Sequence, residues 1–498
     1  MHAQIGDRAA AGVIWLTLQK WAIRLSGIVT IAILTRFLSP EDFGVVAAAS
    51  TVLPFFALLA DLGFATYIVQ ADRADDEVLS TGFWFSLIAG VVLTVLLVVI
   101  APVLGLLFQS DQVAPVLQVL ALSVIVTGVS SVPIAVLRRR MEFRRLAIQG
   151  AISAGVAQVV AIGMTLGGLG VWALVGQALS QPFVLGVMAW ATAGFRPRAL
   201  FSWEKFHTMV RFGSQVLGVE FVAMLRAWAE AAIVTAALGL PALGYLNIAQ
   251  RLVQVVQDLT GSALAPVSTV AFAKIREDRA HLLDSYLRAL RLIYVVVSAP
   301  LTVVAVAAPL IVPLLFGAGW EPSFQVAQLL ALAGIMVVGA TLDHGLHYGT
   351  GRPGVWFCYA AVVDAVTVAT TAVAVRWGLV GVGSGFLVVA TLATVVRWFL
   401  VSRLLGARPS RIARPFGFLS IAVVASGAAG LLTMSVTDGQ PALLRILAVS
   451  LAVAGVHLLI VWVLARPALA EVASYLRRLR QPAETADHRL RLNERSDP

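Results

Sequence analysis

"GVIWLTLQKWAIRLSGIVTIAIL" runs from Gly12 to Leu34, and its reading decides the fold class. The stretch is long and apolar enough to cross a bilayer, which takes about 20 residues. It is too long for the apolar region of a cleavable signal, and no small-residue cleavage site follows it. It reads as a first spanning helix. Lys20 and Arg24 lie near its middle, where a charge is unwelcome.

The rest of the chain repeats the pattern. Of 498 residues, 59% are hydrophobic and 12% charged, against about 25% charged in soluble domains. Mean hydropathy is +0.91. Apolar stretches recur from end to end, which predicts an all-α polytopic membrane protein. A single cysteine, Cys358, excludes an internal disulfide and a thiol-rich metal site. The net charge of +10 is no sign of nucleic-acid binding, because the basic residues collect in alternate loops.

Fourteen spans are predicted, at about 12–38, 43–69, 79–108, 113–136, 146–166, 170–193, 211–238, 243–272, 287–315, 324–348, 355–375, 379–402, 416–436 and 443–465. The connections Arg138–Arg145, Phe195–Arg211, Lys274–Arg291 and Ser402–Arg414 are basic. Those at Ser39–Asp42, Gln109–Gln112, Gly167–Gly170, Gly239–Leu243, Gly317–Ser323 and Thr437–Pro441 hold no Lys or Arg. Cytoplasmic loops carry the excess of Lys and Arg, so the basic set and both termini are expected in the cytoplasm. The acidic Ala71–Glu77 loop on that side is a weak objection, since the rule counts cations. Beyond the last span, Pro467–Arg480 reads equally as a short amphipathic helix on an anionic leaflet or as a solvated basic tail.

A weak repeat recurs near a spacing of 200. "LSPEDFGVVAAAS" (Leu38–Ser50) matches "LGLPALGYLNIAQ" (Leu238–Gln250), which sets Gly44 on Gly244. "LLFQSDQVAPVLQVLALS" (Leu106–Ser123) matches "LLFGAGWEPSFQVAQLLALA" (Leu314–Ala333), which sets Gln118 on Gln328. Two six-span bundles are expected, residues 1–195 and 196–414, followed by two added spans in 415–466 and a basic tail over 467–498. An even number of spans per copy keeps both in one orientation, so their axis follows the membrane normal and a cleft lies between two lobes.

A charge at a helix centre costs about 2.5–3.5 kcal/mol, so such residues should face protein or water. Lys20 and Arg24 are four apart and share a face, though Lys20 could also snorkel to the cytoplasmic side. Span seven holds Glu220, Arg226 and Glu230, of which the last two are spaced to neutralise each other. In span eight, Asn247, Gln250, Arg251, Gln254 and Asp258 form a polar stripe that suggests a cavity wall. Asp61, Asp343 and Asp364 are further carboxylates within spans, each either a proton or ion relay or a buried paired residue. Cations from both lobes would make a positive cleft for an anionic substrate. The forked guanidinium of Arg suits phosphate.

"TRFLSPEDFGVVAAA" (Thr35–Ala49), "DLGFATYIVQ" (Asp61–Gln70), "LSTGFWFSLIAG" (Leu79–Gly90), "RRRMEFRRLA" (Arg138–Ala147), "YLNIAQRLVQ" (Tyr245–Gln254) and "LLFGAGWEPS" (Leu314–Ser323) follow one another in a distinctive order. In these stretches, from about residue 10 to 400, the chain resembles Wzx-type polysaccharide flippases. These belong to the multidrug/oligosaccharidyl-lipid/polysaccharide exporter superfamily, and the likeness is to its colanic and teichuronic acid branch. The resemblance implies an alternating-access transporter of two six-helix bundles in the cytoplasmic membrane. It would carry a polyprenyl-diphosphate-linked oligosaccharide to the outer leaflet, without a cofactor, alongside a polysaccharide polymerase and glycosyltransferases. It also implies that Lys20, Arg24, Arg226 and Arg251 line the cavity and hold the diphosphate. Coupling in the superfamily is to protons or sodium, and the resemblance maps no site for it; the polar residues of the spans offer Asp61, Glu220, Asn247, Gln254 and Asp258 as candidates.

Two alternatives stand beside this reading. One is another exporter of the superfamily, for the peptidoglycan precursor or a small molecule; a drug exporter needs no set of midplane arginines. The other is a membrane-embedded enzyme acting on lipid-linked sugars. The acidic group Asp72, Asp75, Asp76 and Glu77 lacks a DxD or DDxxD spacing and reads as a solvated loop. "GVGSG" (Gly381–Gly385) lies inside a span and follows no strand, so it is helix packing. The seven histidines show no metal-ligand spacing. No catalytic residue or metal site is expected.

Overall fold

A computed structural model describes residues 26–71, 74–261 and 272–464 together with Trp21, Ile23, Arg24 and Ser268; within these, the side chains of 214–220 and 259–261 are not described. Lys20, the side chain of Glu220 and the basic tail lie outside the described residues. The described chain is helical, without a strand among those residues. A bilayer has no water to satisfy open backbone groups, so helices that close their own hydrogen bonds are the stable form.

Helix is present in the described part of each predicted span. Span two is Pro40–Asp61 continued by Phe64–Gln70, and span three is Asp76–Leu107. Span four is Val113–Leu120 with Leu122–Arg139, span five Phe143–Leu166 and span six Trp172–Ala193. Spans seven to nine are Trp203–Leu238, Leu240–Gly261 and Arg279–Phe316. Span ten is Pro322–Val337 with Ala340–Gly349. Spans eleven to fourteen are Pro353–Ala374, Gly378–Leu405, Pro409–Val436 and Ala442–Leu464. Eleven stretches among the described residues are long and apolar enough to cross a membrane, the 53-residue stretch Pro353–Leu405 holding spans eleven and twelve together. Span eight is not one of the eleven; its polar stripe lowers its hydropathy. Outward-facing apolar side chains such as Leu106, Val436 and Leu451, all above 70% exposed, suit contact with lipid tails.

Two loops are shorter than predicted. Spans seven and nine begin inside the basic connections, because Ser202 accepts from Lys205 N and Asp278 accepts from Ala280 N and His281 N. Such caps satisfy the first free amides of a helix and let it start outside the lipid. Span two instead breaks at Leu62–Gly63, both in the left-handed region.

The apolar cores reveal the shape. At the end bearing the loops without Lys or Arg, one core joins spans two, three, four and six to spans seven, eight, nine, ten and twelve. At the basic end there are two separate cores. One gathers Phe64, Ile68, Phe83, Val132 and Ala189, with Met209 from the start of span seven. The other gathers Leu283, Tyr286, Leu290, Leu342, Val401 and Ile412. The bundle is thus fused at one end and has two cores at the end where the loop charges predict the cytoplasm, with only the start of span seven, among the described residues, seen to cross between the halves there.

The fused end is held by close backbone contact. A Cβ on Gly44 would lie 2.0 Å from the carbonyl oxygen of Leu240, and one on Gly244 would lie 2.0 Å from that of Pro40. This reciprocity is what a two-fold axis through the crossing of spans two and eight would produce. The matched glutamines also act alike: Gln118 donates to Val98 O at 3.3 Å and Gln328 to Ala305 O at 2.8 Å, each reaching the preceding span. Beside the glycine crossing, Trp320 packs edge-on against Phe43 and Tyr245 and donates to Thr35 O. Arg36 donates to Leu314 O at 2.9 Å.

Candidate functional site

Span eight divides the interior. On its turn, Gln250, Gln254 and Gln257 face a cavity of about 670 Å³, while Arg251 and Val255 face a second of about 330 Å³. Asn247 borders both. The period of 3.6 places residues 250, 254 and 257 on one side of the stripe and 251 and 255 on the other. The stripe is therefore a partition wetted on two faces.

The smaller cavity is cationic. Arg24 from span one and Arg251 from span eight line it, with Ser50 and glutamines from spans five and six. Arg24 is held by Asp258 in an ion pair of 2.5 Å. Arg251 packs over span one beside Gly27, whose hydrogen position lies toward its guanidinium. The two guanidinium groups are near enough to repel each other. Among the described residues Arg251 has no ion pair or hydrogen bond, and it is exposed to the cavity.

The larger cavity is charge-paired. Arg226 binds Glu230 at 2.8 Å and Asp364 at 2.9 Å, so one guanidinium stands between two carboxylates. At its edge Arg397 meets Asp343 at 3.0 Å and also donates to Met336 O and Thr394 Oγ1. Tyr286 donates to the other oxygen of Asp343 at 2.5 Å. Both members of this pair are under 5% exposed, which makes it a strut between spans nine, ten and twelve.

The structure brings Arg24, Arg251 and Asn247 to one cavity and Arg226, Asn247 and Gln254 to the other, so the three described cations of the expected four are divided between two cavities. Asp258 reaches the smaller cavity only through Arg24. Asp61 lines neither of these two cavities. It accepts from Ser131 Oγ and from Ala65 N, bracing the break in span two. Arg397 was missed although it lies inside the predicted span 379–402, where an isolated charge carries the same signal as Arg24. Gln177 and Gln181 were missed as well, although their spacing of four in an apolar span carried the same signal as span eight. Among the described residues no group of three or more His, Cys, Asp or Glu is placed to hold a metal ion.

A family model described as "polysaccharide biosynthesis protein" matches residues 33–325. The succinoglycan biosynthesis transport protein ExoT of Rhizobium meliloti (strain 1021) is 29% identical over 74% of this chain and 73% of its own. The lipopolysaccharide biosynthesis protein WzxC of Escherichia coli (strain K12) is 23% identical over 77% and 78%. The teichuronic acid biosynthesis protein TuaB of Bacillus subtilis (strain 168) is 24% identical over 71% and 74%. Among solved structures, the lipid II flippase MurJ in an inward closed conformation superposes with a TM-score of 0.66 at 13% identity, covering 94% of this chain and 100% of its own. An inward-facing multidrug resistance MATE family transporter of the MOP superfamily gives 0.62 at 18%, covering 81% and 99%.

Proposed function

The chain belongs to the polysaccharide biosynthesis protein family, and from that premise we propose that it is a flippase for a polyprenyl-diphosphate-linked oligosaccharide. It works by alternating access between residues 1–195 and 196–414, in the cytoplasmic membrane with both termini in the cytoplasm. It is a transporter and not an enzyme; glycosyltransferases that build its substrate and a polysaccharide polymerase are its expected partners. The observation that carries this reading is Arg251, without an ion pair among the described residues, beside Arg24 in a cavity within the spans. Desolvated guanidinium groups with an open face attract an anion and hold a phosphate by two parallel hydrogen bonds. Arg24 changes partner from Asp258 to the diphosphate when substrate enters, so its charge is never left bare.

Ion coupling belongs to the larger cavity. Arg226, Glu230 and Asp364 carry one more carboxylate than guanidinium. A proton or a monovalent cation restores the balance, which links its occupancy to the packing of span seven on span eleven.

Transport of lipid-linked oligosaccharide into vesicles, at equal protein level, tests the anion site. Arg251→Lys and Arg24→Lys keep part of the activity, since the point charge survives without the fork. Arg251→Ala and Arg24→Ala lose most of it, and Arg24→Glu is worse than Ala. Undiminished transport by Arg251→Ala removes the diphosphate from this cavity.

A further inference from the structure

The smaller cavity also carries amide side chains that the diphosphate reading leaves without a role. Gln158 of span five and Gln177 and Gln181 of span six line it together with the arginines of spans one and eight. Spans five and six pack closely on each other, so the three amides share one rigid surface. Gln158 donates to Ser26 Oγ at 3.0 Å, which leaves its carbonyl oxygen as an acceptor. Gln177 and Gln181 are four apart on one face and form no side-chain hydrogen bond among the described residues.

Amides in a membrane span are costly unless something satisfies them. Three in one cavity, two of them without a side-chain hydrogen bond among the described residues, mark a surface for a polar, uncharged occupant. A carboxamide offers two donors and an acceptor in one plane, which matches the mixed donor and acceptor character of sugar hydroxyls. It carries no charge to repel a phosphate next to it, as Asp or Glu would. The cavity is about 330 Å³, so a group held by the amides lies directly beside a group held by the arginines. In a lipid-linked oligosaccharide the group directly beside the diphosphate is the first sugar.

We propose that Gln158, Gln177 and Gln181 form the subsite for the sugar attached to the diphosphate, and that they set which first sugar is accepted. This rests on the flippase reading and on Arg251 as the anion anchor.

The test uses the full-length protein in nanodiscs. The probes are polyprenyl diphosphate without sugar and the same lipid carrying glucose, galactose or N-acetylglucosamine. At least one sugar-bearing probe binds more tightly than the bare diphosphate. In the double variant Gln177→Met, Gln181→Met, which keeps side-chain volume, that gain falls by about tenfold or more while affinity for the bare diphosphate is unchanged. Gln177→Asn, which retains an amide, restores part of the gain or changes which sugar is preferred. If no sugar improves on the bare diphosphate, or if the double variant keeps the gain, the subsite is wrong although the anion site stands. If the wild type binds no diphosphate lipid and Arg251→Ala changes nothing, the flippase reading fails and this subsite with it.

Discussion

Arg397 and Arg226 show what burial does to the same side chain. Arg397 and Asp343 are enclosed, with Tyr286, Thr394 and a backbone carbonyl filling their remaining valences. Removing one member strands the other without water. We expect Arg397→Ala to cost about 3–5 kcal/mol, read as a large drop in thermal unfolding temperature in detergent. Arg226, Glu230 and Asp364 are more open, at 33%, 8% and 20% side-chain exposure. Glu230→Gln and Asp364→Asn should therefore leave the protein folded and change how transport responds to an imposed proton or sodium gradient. Wild-type gradient dependence in both variants would place coupling elsewhere, with Asp258 and Glu220 the next to test.

At the scale of elements, the crossing of spans two and eight is set by the absence of two side chains. Membrane helices associate through close packing of small residues, because lipid offers no hydrophobic drive between them. Gly44→Ala would bring a methyl to 2.0 Å from Leu240 O, so the helices must separate. Overpacking of this kind costs about 1–3 kcal/mol. Gly163 is the internal control, since an added Cβ there meets nothing within 4 Å. We expect Gly44→Ala to lower the unfolding temperature and loosen the fused end, and Gly163→Ala to match or exceed the wild type. Equal behaviour of the two variants would mean that the crossing does not hold the bundle closed.

For the whole molecule, one fused core and two split cores describe a protein closed at one end and parted at the other. From the loop charges the parted end is expected in the cytoplasm. On a Cys358→Ser background, Ala318→Cys should react with a membrane-impermeant maleimide in intact cells, and Arg145→Cys should react only after lysis. Labelling of Arg145→Cys in intact cells reverses the orientation and the direction of transport.

How much of this was legible depends on the range of the interaction. Hydropathy and loop charge are properties of a segment against its solvent, so the sequence alone determined the helical membrane class, the expected spans and the topology to be tested. Helical period is a property of one element, so it also showed that Arg24 and the stripe of span eight avoid lipid. What a face meets across a gap is set by how the helices cross, and that only the tertiary structure decided. It gave Arg24 to Asp258, gave Arg226 to two carboxylates and left Arg251 open. It also turned one expected cleft into two cavities, because a 3.6-residue period carries a single polar stripe onto both flanks of the helix that separates them.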